Sequence, residues 1–374
     1  IFDVMVVAQY RPHSLIEHLG AGGPWEMNRE RSGGLRFYTP YLSRDQSGWF
    51  VGTADAVQQN FLFIKDRRPD LVLILSGDHI YRMNYRDLVA HHLAMRAECT
   101  VAAVEVPDNE KHRFGICQLA EDTRIVRFVE KPHEPIPGLG SMGIYVFNYD
   151  TLDRVLLEDH HRTDSSHDFG KDILPRMVEG GYRVYAWPYR GYWRDVGTLE
   201  SYWEAHMDLV SDPPKYDLND KGWLIHTRSE NRPPARIAAG AIVADSLITH
   251  GCYIAPGACV ERSVLSPGVR IESGAVVRES VLFTDCVVET NARIERSICD
   301  MKTRIGAGAR VGSMDGTPPN RFVTIGKGSI VPPGFVMHPG SAFGPDVILS
   351  DLGDRKEALP GELIQTKRKP YEIK

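Results

Sequence analysis

The chain has 374 residues, 42% of them hydrophobic and 25% charged, with a net charge of −5. That length suits two or three domains, and the apolar share excludes a chain disordered throughout. The charge balance gives no global pull toward nucleic acid or an anionic membrane surface.

The first residue is Ile1, and residues 4–8 form a β-rich apolar run that reads as a buried strand. A chain opening inside a core strand is expected to lack its true N-terminus. No basic region precedes an apolar one, so no secretory signal is expected. No apolar run reaches the ~18 residues of a membrane helix. Residues 13–18 look helical, and 53–64 carry helical apolar spacing at Ala54, Val57, Phe61 and Ile64. Residues 71–75 form the strongest strand and end in Ser76-Gly77-Asp78. A helix follows over 87–97, then strands over 100–106, 125–129 and 143–147, and a helix over 171–179. Apolar strands alternating with helices predict a mostly parallel sheet covered on both faces. Ligands of such sheets sit past the carboxyl ends of the strands.

Residues 1–210 thus read as one α/β domain. Residues 211–235, rich in Pro and Asp and poor in aliphatics, read as a linker. From 236 the pattern changes: Ile242, Ile248, Ile254 and Val260 stand six apart, and after a slip of phase so do Leu265, Ile271 and Val277. Turn residues such as Ser266-Pro267-Gly268 fill the gaps. A six-residue repeat is the mark of a β-helix whose coils bury their aliphatics by stacking, so 236–374 is read as a hexapeptide domain with a tail. The six cysteines form no CxxC pair and read as reduced thiols of a cytosolic protein without structural zinc. His91 and His92 lie on different helix faces and read as solvated or partly buried.

Several segments offer chemistry. Asp78, at a strand end, is placed to hold Mg²⁺ on a phosphate, since that ion takes oxygen ligands including one or two carboxylates. An Asp there is also a common turn or cap residue. Tyr192-Trp193-Arg194-Asp195 sets a second acid beside an indole, with Thr198 as a helix cap. Phe128-Val129-Glu130-Lys131-Pro132 puts a lysine where it can bind phosphate as a point charge. Trp49-Phe50-Val51-Gly52-Thr53-Ala54 opens a helix whose first N–H groups could face a ligand.

Together with Gln9-Tyr10, Ser76-Gly77-Asp78-His79, Ser141-Met142-Gly143-Ile144-Tyr145 and Ser165-Ser166-His167-Asp168-Phe169-Gly170-Lys171, these segments occur in one order. In that order and spelling the whole chain closely resembles bacterial ADP-glucose pyrophosphorylases (glucose-1-phosphate adenylyltransferases). The resemblance implies a Rossmann-like nucleotidyltransferase domain followed by a left-handed parallel β-helix. It implies transfer from ATP to α-glucose 1-phosphate, giving ADP-glucose and pyrophosphate, the committed step toward bacterial glycogen. Catalysis would rest on positioning and charge stabilisation of an in-line displacement. By the match Asp78 and Asp195 would hold Mg²⁺, and Lys131 would bind the sugar phosphate. Glu130, Ser141, Tyr145, Asp168, Phe169 and Trp193 would line the glucose pocket. Gln9, Trp49, Gly52 and Thr53 would lie on the nucleotide side, with Gln9 and Trp49 linked to activator response. A cytoplasmic homotetramer under allosteric small-molecule control is implied, with no nucleic-acid or membrane partner.

The family's Gly-rich phosphate loop and the basic segment after it have no counterpart in the sequence. The chain alone is therefore expected to be a fragment without activity. The alternatives are a non-catalytic regulatory subunit of the family, a nucleotidyltransferase for another sugar phosphate, and a hexapeptide acyltransferase using His250 as base. The presence of Asp78, Lys131 and Asp195 favours the catalytic type, and an acyltransferase would leave the N-terminal motifs unexplained.

Overall fold

The computed structural model describes residues 1–29, 33–40, 48–312 and 321–369; residues 313–320 and 370–374 of the expected hexapeptide domain lie outside these. The chain forms two compact units. One comprises Ile1–Trp193 with His226–Arg228, the other Arg194–Ile225 with Ser229–Lys374. Among the described residues no helix is long and apolar enough to cross a membrane.

The first unit runs β1 (Asp3–Val7), α1 (His13–Leu19), β2 (Gly34–Tyr38), α2 (Thr53–Gln59), α3 (Phe61–Lys65), β3 (Leu71–Ile74), β4 (His79–Tyr81) and α4 (Tyr85–Ala94). It continues with β5 (Cys99–Val104), β6 (Gly115–Leu119), β7 (Ile125–Glu130), β8 (Leu139–Asn148), α5 (Tyr149–His160), α6 (Leu174–Glu179) and β9 (Val184–Pro188). β10 (Trp193–Asp195) spans the boundary between the units. The main sheet has the order β7-β6-β8-β5-β9, with β3 also on β8. Alternation along the strands splits the core in two. Val101, Tyr145 and Phe147 face Ala54, Phe61, Leu156 and Met177 from the helices on one side. Ala102, Ile144 and Val146 face Leu88 of α4 on the other.

The α/β class agrees with the sequence pattern, but this sheet is more mixed than alternation predicts. β5 and β9 are parallel, whereas β8 runs against β3, β5 and β6, and β6 runs against β7. The physical reason is connection length. Only residues 120–124 join β6 to β7, too short a link for a parallel crossover, and the stretch from β5 to β8 carries these two strands in place of an α-helix. Two helices also differ from expectation. The 53–64 helix breaks at Asn60, whose side-chain amide donates back to Ala56 O at 2.9 Å. The 171–179 helix begins as a π-helical turn, Phe169–Ile173. His92 is fully buried rather than solvated, bonded to Thr100 Oγ1 (2.8 Å) and Asn148 Oδ1 (3.1 Å), and burial holds its pKa below the ordinary value.

The second unit is a parallel β-helix with α7 (Leu199–Leu209) in the same unit. Three parallel sheets hold the coils, with registers such as Ile254↔Ile271↔Val288↔Ile305. From Arg236 to Val311 each coil advances the register by 17 residues, as in Tyr253↔Arg270↔Val287↔Arg304, which explains the slip of phase in a six-residue repeat. One side of each coil is five residues long: Val260 and Leu265 are both inward, as are Val277 and Leu282. Ile242, read as a repeat position, is 58% exposed, and its neighbour Val243 packs inward instead. Ser263, Ser280 and Ser297 stack at one corner, each hydroxyl donating to a carbonyl of its own coil, while the Ser280 and Ser297 N–H groups donate to the Ser263 and Ser280 hydroxyls at 3.1 Å. That arrangement satisfies buried backbone groups at the bend.

Candidate active site

Four segments of the first unit converge on Glu130. It ends β7, and its carboxylate occupies space that a Cβ at either Gly115 or Gly170 would enter. Its pKa is raised, first by burial and then by the charge of Asp168, while Lys131 and Lys171 oppose the rise. Lys131 Nζ lies 4.0 Å from Glu130 and is largely exposed. Its backbone adopts φ +45°, a conformation strained for a side chain with a Cβ, and its N–H bonds Phe114 O at 3.1 Å. Tyr145 is buried against Phe169 (5.6 Å) and Phe147, and burial pushes its hydroxyl pKa up. Ser141 Oγ, four residues earlier on β8, accepts the Gly143 N–H at 3.3 Å.

The loop carrying Asp168 and Phe169 is held from behind. Asp159 of α5, buried, accepts from Ser165 Oγ (2.6 Å), His167 Nδ1 (2.8 Å) and Arg176 Nη1 (2.7 Å). A buried carboxylate paired this way costs much to disturb. Asp172 accepts from the N–H and hydroxyl of Ser166, which holds its pKa low despite burial. Asp168 itself caps the π turn through Gly170 N (2.9 Å) and Lys171 N (3.0 Å), and accepts from Thr53 Oγ1 at 3.0 Å. The His167 carbonyl takes the N–H groups of Ala54 and Asp55. The N–H groups of Ala54 and Asp55 are therefore engaged by this loop rather than open to a ligand. Gly52 is required there, because a Cβ would collide with the carbonyls of Ser166 and His167.

Asp78 lies in the turn between β3 and β4 with its carboxylate 63% exposed, 3.5 Å from His79 Nε2. The His79 ring stacks edge-on against Trp193 at 5.3 Å, and Phe114 meets the same indole at 5.3 Å. The buried Trp193 N–H has no hydrogen-bond partner among the described residues, an orphan donor of the kind a ligand oxygen satisfies. Ahead of α2 in the chain, Gln9 Oε1 accepts the Phe50 N–H at 2.5 Å and Trp49 is exposed. Asp195 Oδ1 accepts the Gly197 N–H at 2.8 Å in the second unit. His250 is exposed on the β-helix.

The contacts thus bring Thr53, Glu130, Lys131, Tyr145, Asp168 and Phe169 together, and set Trp193 beside Asp78 through His79. Sequence reasoning missed Asp159, Arg176 and the two glycines around Glu130. Only the run Ser165-Ser166-His167 hinted at a polar framework. Hard carboxylate oxygens at Asp78 and Asp195 are the donor type that Mg²⁺ prefers.

A carboxyl with a raised folded pKa destabilises the fold as pH rises through the window above the ordinary glutamate value. Glu130→Gln is therefore expected to raise the melting temperature at pH 7 by on the order of 2 °C and leave it unchanged at pH 4. Calorimetry at the two values checks this.

Residues 1–212 match the family model described as nucleotidyl transferase. Residues 233–331 match one described as GlmU-like, C-terminal hexapeptide. Among curated proteins, the chain is 49% identical over 255 residues to a glucose-1-phosphate adenylyltransferase of Thermotoga sp. (strain RQ2), covering 68% of this chain and 60% of that one. It is 48% identical over 254 residues to that of Thermomicrobium roseum, at 68% and 59% coverage. With that of Halalkalibacterium halodurans it shares 44% over 265 residues, 71% of this chain and 68% of the relative. The match thus spans about 60% of the length of the Thermotoga relative.

Proposed function

Because the chain belongs to the nucleotidyl transferase family, with the glucose-1-phosphate adenylyltransferases, we propose that the complete gene product makes ADP-glucose and pyrophosphate from ATP and α-glucose 1-phosphate. The observation that carries this reading is the half-buried carboxyl of Glu130 at the end of β7, with Lys131 Nζ 4.0 Å away and Asp168 near enough to help raise its pKa. These suit a phosphorylated sugar. Lys131 neutralises the phosphate, Glu130 accepts from glucose hydroxyls, and Tyr145, Ser141 and Trp193 close the pocket. Asp168 and Phe169 keep that wall in place. Gln9, Trp49, Gly52 and Thr53 belong to the nucleotide side.

Asp78 and Asp195 would hold Mg²⁺, which would neutralise the phosphate charge that develops in the displacement. The oxygen of the sugar phosphate attacks the α-phosphorus in line, and the residues named orient it without forming a covalent intermediate. The enzyme is a cytoplasmic homotetramer answering to small-molecule effectors, a reading supported by six free thiols and a rigid β-helix on which subunits can pack.

The test is a substrate matrix. The complete gene product with Mg²⁺ is offered ATP, UTP or GTP with glucose 1-phosphate, and pyrophosphate and nucleotide sugar are measured. ADP-glucose is expected as the preferred product; faster use of UTP or GTP overturns the assignment.

A further inference from the structure

Asp195, the proposed metal ligand, belongs to the same compact unit as the β-helix, and the contacts within that unit form a continuous chain to it. Arg194, its neighbour, pairs with two acids of α7, Glu204 at 2.5 Å and Asp208 at 2.8 Å. Asp208 is buried and takes Lys215 as a second partner at 2.9 Å. Thr198 caps α7 in a capping box with Ser201, and the Gly197 N–H between cap and strand donates to Asp195. The strand end, the cap and the first turn of the helix are thus one hydrogen-bonded piece.

α7 is fixed in turn by the β-helix. An eleven-residue helix is too short to be stable alone. Its Trp203 and Met207, with Tyr202 and Val210, pack on Val264, Val281 and Ile298, flanked by Leu247, Phe283 and Phe322. Leu247, Val264, Val281 and Ile298 are register partners in successive coils, so they form an outward apolar column on one sheet. The Trp203 N–H donates to Glu279 O at 2.7 Å, and the Arg296 guanidinium lies over its ring at 4.9 Å. A buried tryptophan with a satisfied N–H and a cation over its face is a strong anchor.

We infer that Trp203 and Arg194 are positioning residues for Asp195, through which the β-helix sets the geometry of the metal-binding carboxylate. The inference rests on the reading of Asp195 as a metal ligand. It gives the β-helix a part in the reaction beyond assembly: any change in its coils under α7 moves Asp195, and a misplacement of about 1 Å can cost about 10²-fold in rate.

The experiment compares Trp203→Ala, Trp203→Phe and Asp195→Asn in the complete gene product. Amide hydrogen exchange over residues 195–201 is read without metal, Mn²⁺ affinity by electron paramagnetic resonance, and kcat and the KM for glucose 1-phosphate by assay. Trp203→Ala is expected to speed exchange over 195–201, weaken Mn²⁺ and lower kcat about tenfold, and leave the KM for glucose 1-phosphate unchanged. Trp203→Phe, which keeps the stacked ring and loses the donor, falls between. If Trp203→Ala does not fold, Arg296→Met removes the cation from the same ring and is expected to shift the same readouts less. Unchanged exchange and Mn²⁺ affinity in the folded variant, with Asp195→Asn impaired, overturns the coupling. Unchanged Mn²⁺ affinity and kcat in Asp195→Asn overturns instead the metal-ligand reading beneath it.

Discussion

Asp78→Asn lowers kcat of the complete gene product by about 10³-fold, a loss of about 4 kcal/mol of transition-state stabilisation. The substitution keeps the shape of the side chain and removes its charge. Asp78 is exposed, and among the described residues its ion-pair contact is the 3.5 Å approach of His79, so its charge is not expected to hold the fold. The melting temperature and the KM for glucose 1-phosphate are therefore expected to stay at the parent values. That combination marks an interaction made chiefly in the transition state. Steady-state kinetics over a range of Mg²⁺ concentrations measures it, and a variant within a few-fold of the parent kcat would show that Asp78 holds no metal.

Lys131→Ala raises the KM for glucose 1-phosphate by about 10²-fold, since a hydrogen bond to a charged group is worth roughly 1.5–3 kcal/mol. kcat falls less. Lys131→Arg restores little, because its planar fork does not reproduce the compact point charge of an ammonium on a phosphate. Lys131→Gly separates binding from folding. The backbone here has φ +45°, which glycine adopts without strain, so this variant is expected to be at least as stable as the parent and as poor in binding as the alanine variant. An unchanged KM in Lys131→Ala would remove this residue from the phosphate site.

Much of this was legible in the residues themselves. The aliphatic repeat from Ile248 to Val311 announced stacked coils, and the strand-end positions of Asp78, Glu130 and Lys131 marked where a ligand could sit. The 17-residue coil was harder to read, because Ile242 and Val243 or Val276 and Val277 are equally apolar and only burial separates them. The reversed β8 left a trace in the absence of a helix between residues 100 and 147, which connection length could have exposed. The Asp159–Arg176–His167 support left almost none, since its members are 17 and 8 residues apart and meet only through tertiary folding. The same holds for α7. Its amphipathic pattern shows that one face is buried, but the column of Val264, Val281 and Ile298 that receives it alternates with the inward repeat and reads as ordinary coil sequence.

A crystal structure of the complete gene product with ADP-glucose decides whether a phosphorylated sugar sits beside Glu130 in the first unit. The sugar-linked phosphate is expected at Lys131, glucose hydroxyls on the Glu130 carboxylate and an oxygen of the ligand accepting the Trp193 N–H. A glucose moiety bound away from Glu130 and Lys131, with the Trp193 N–H still unpartnered, would contradict that placement.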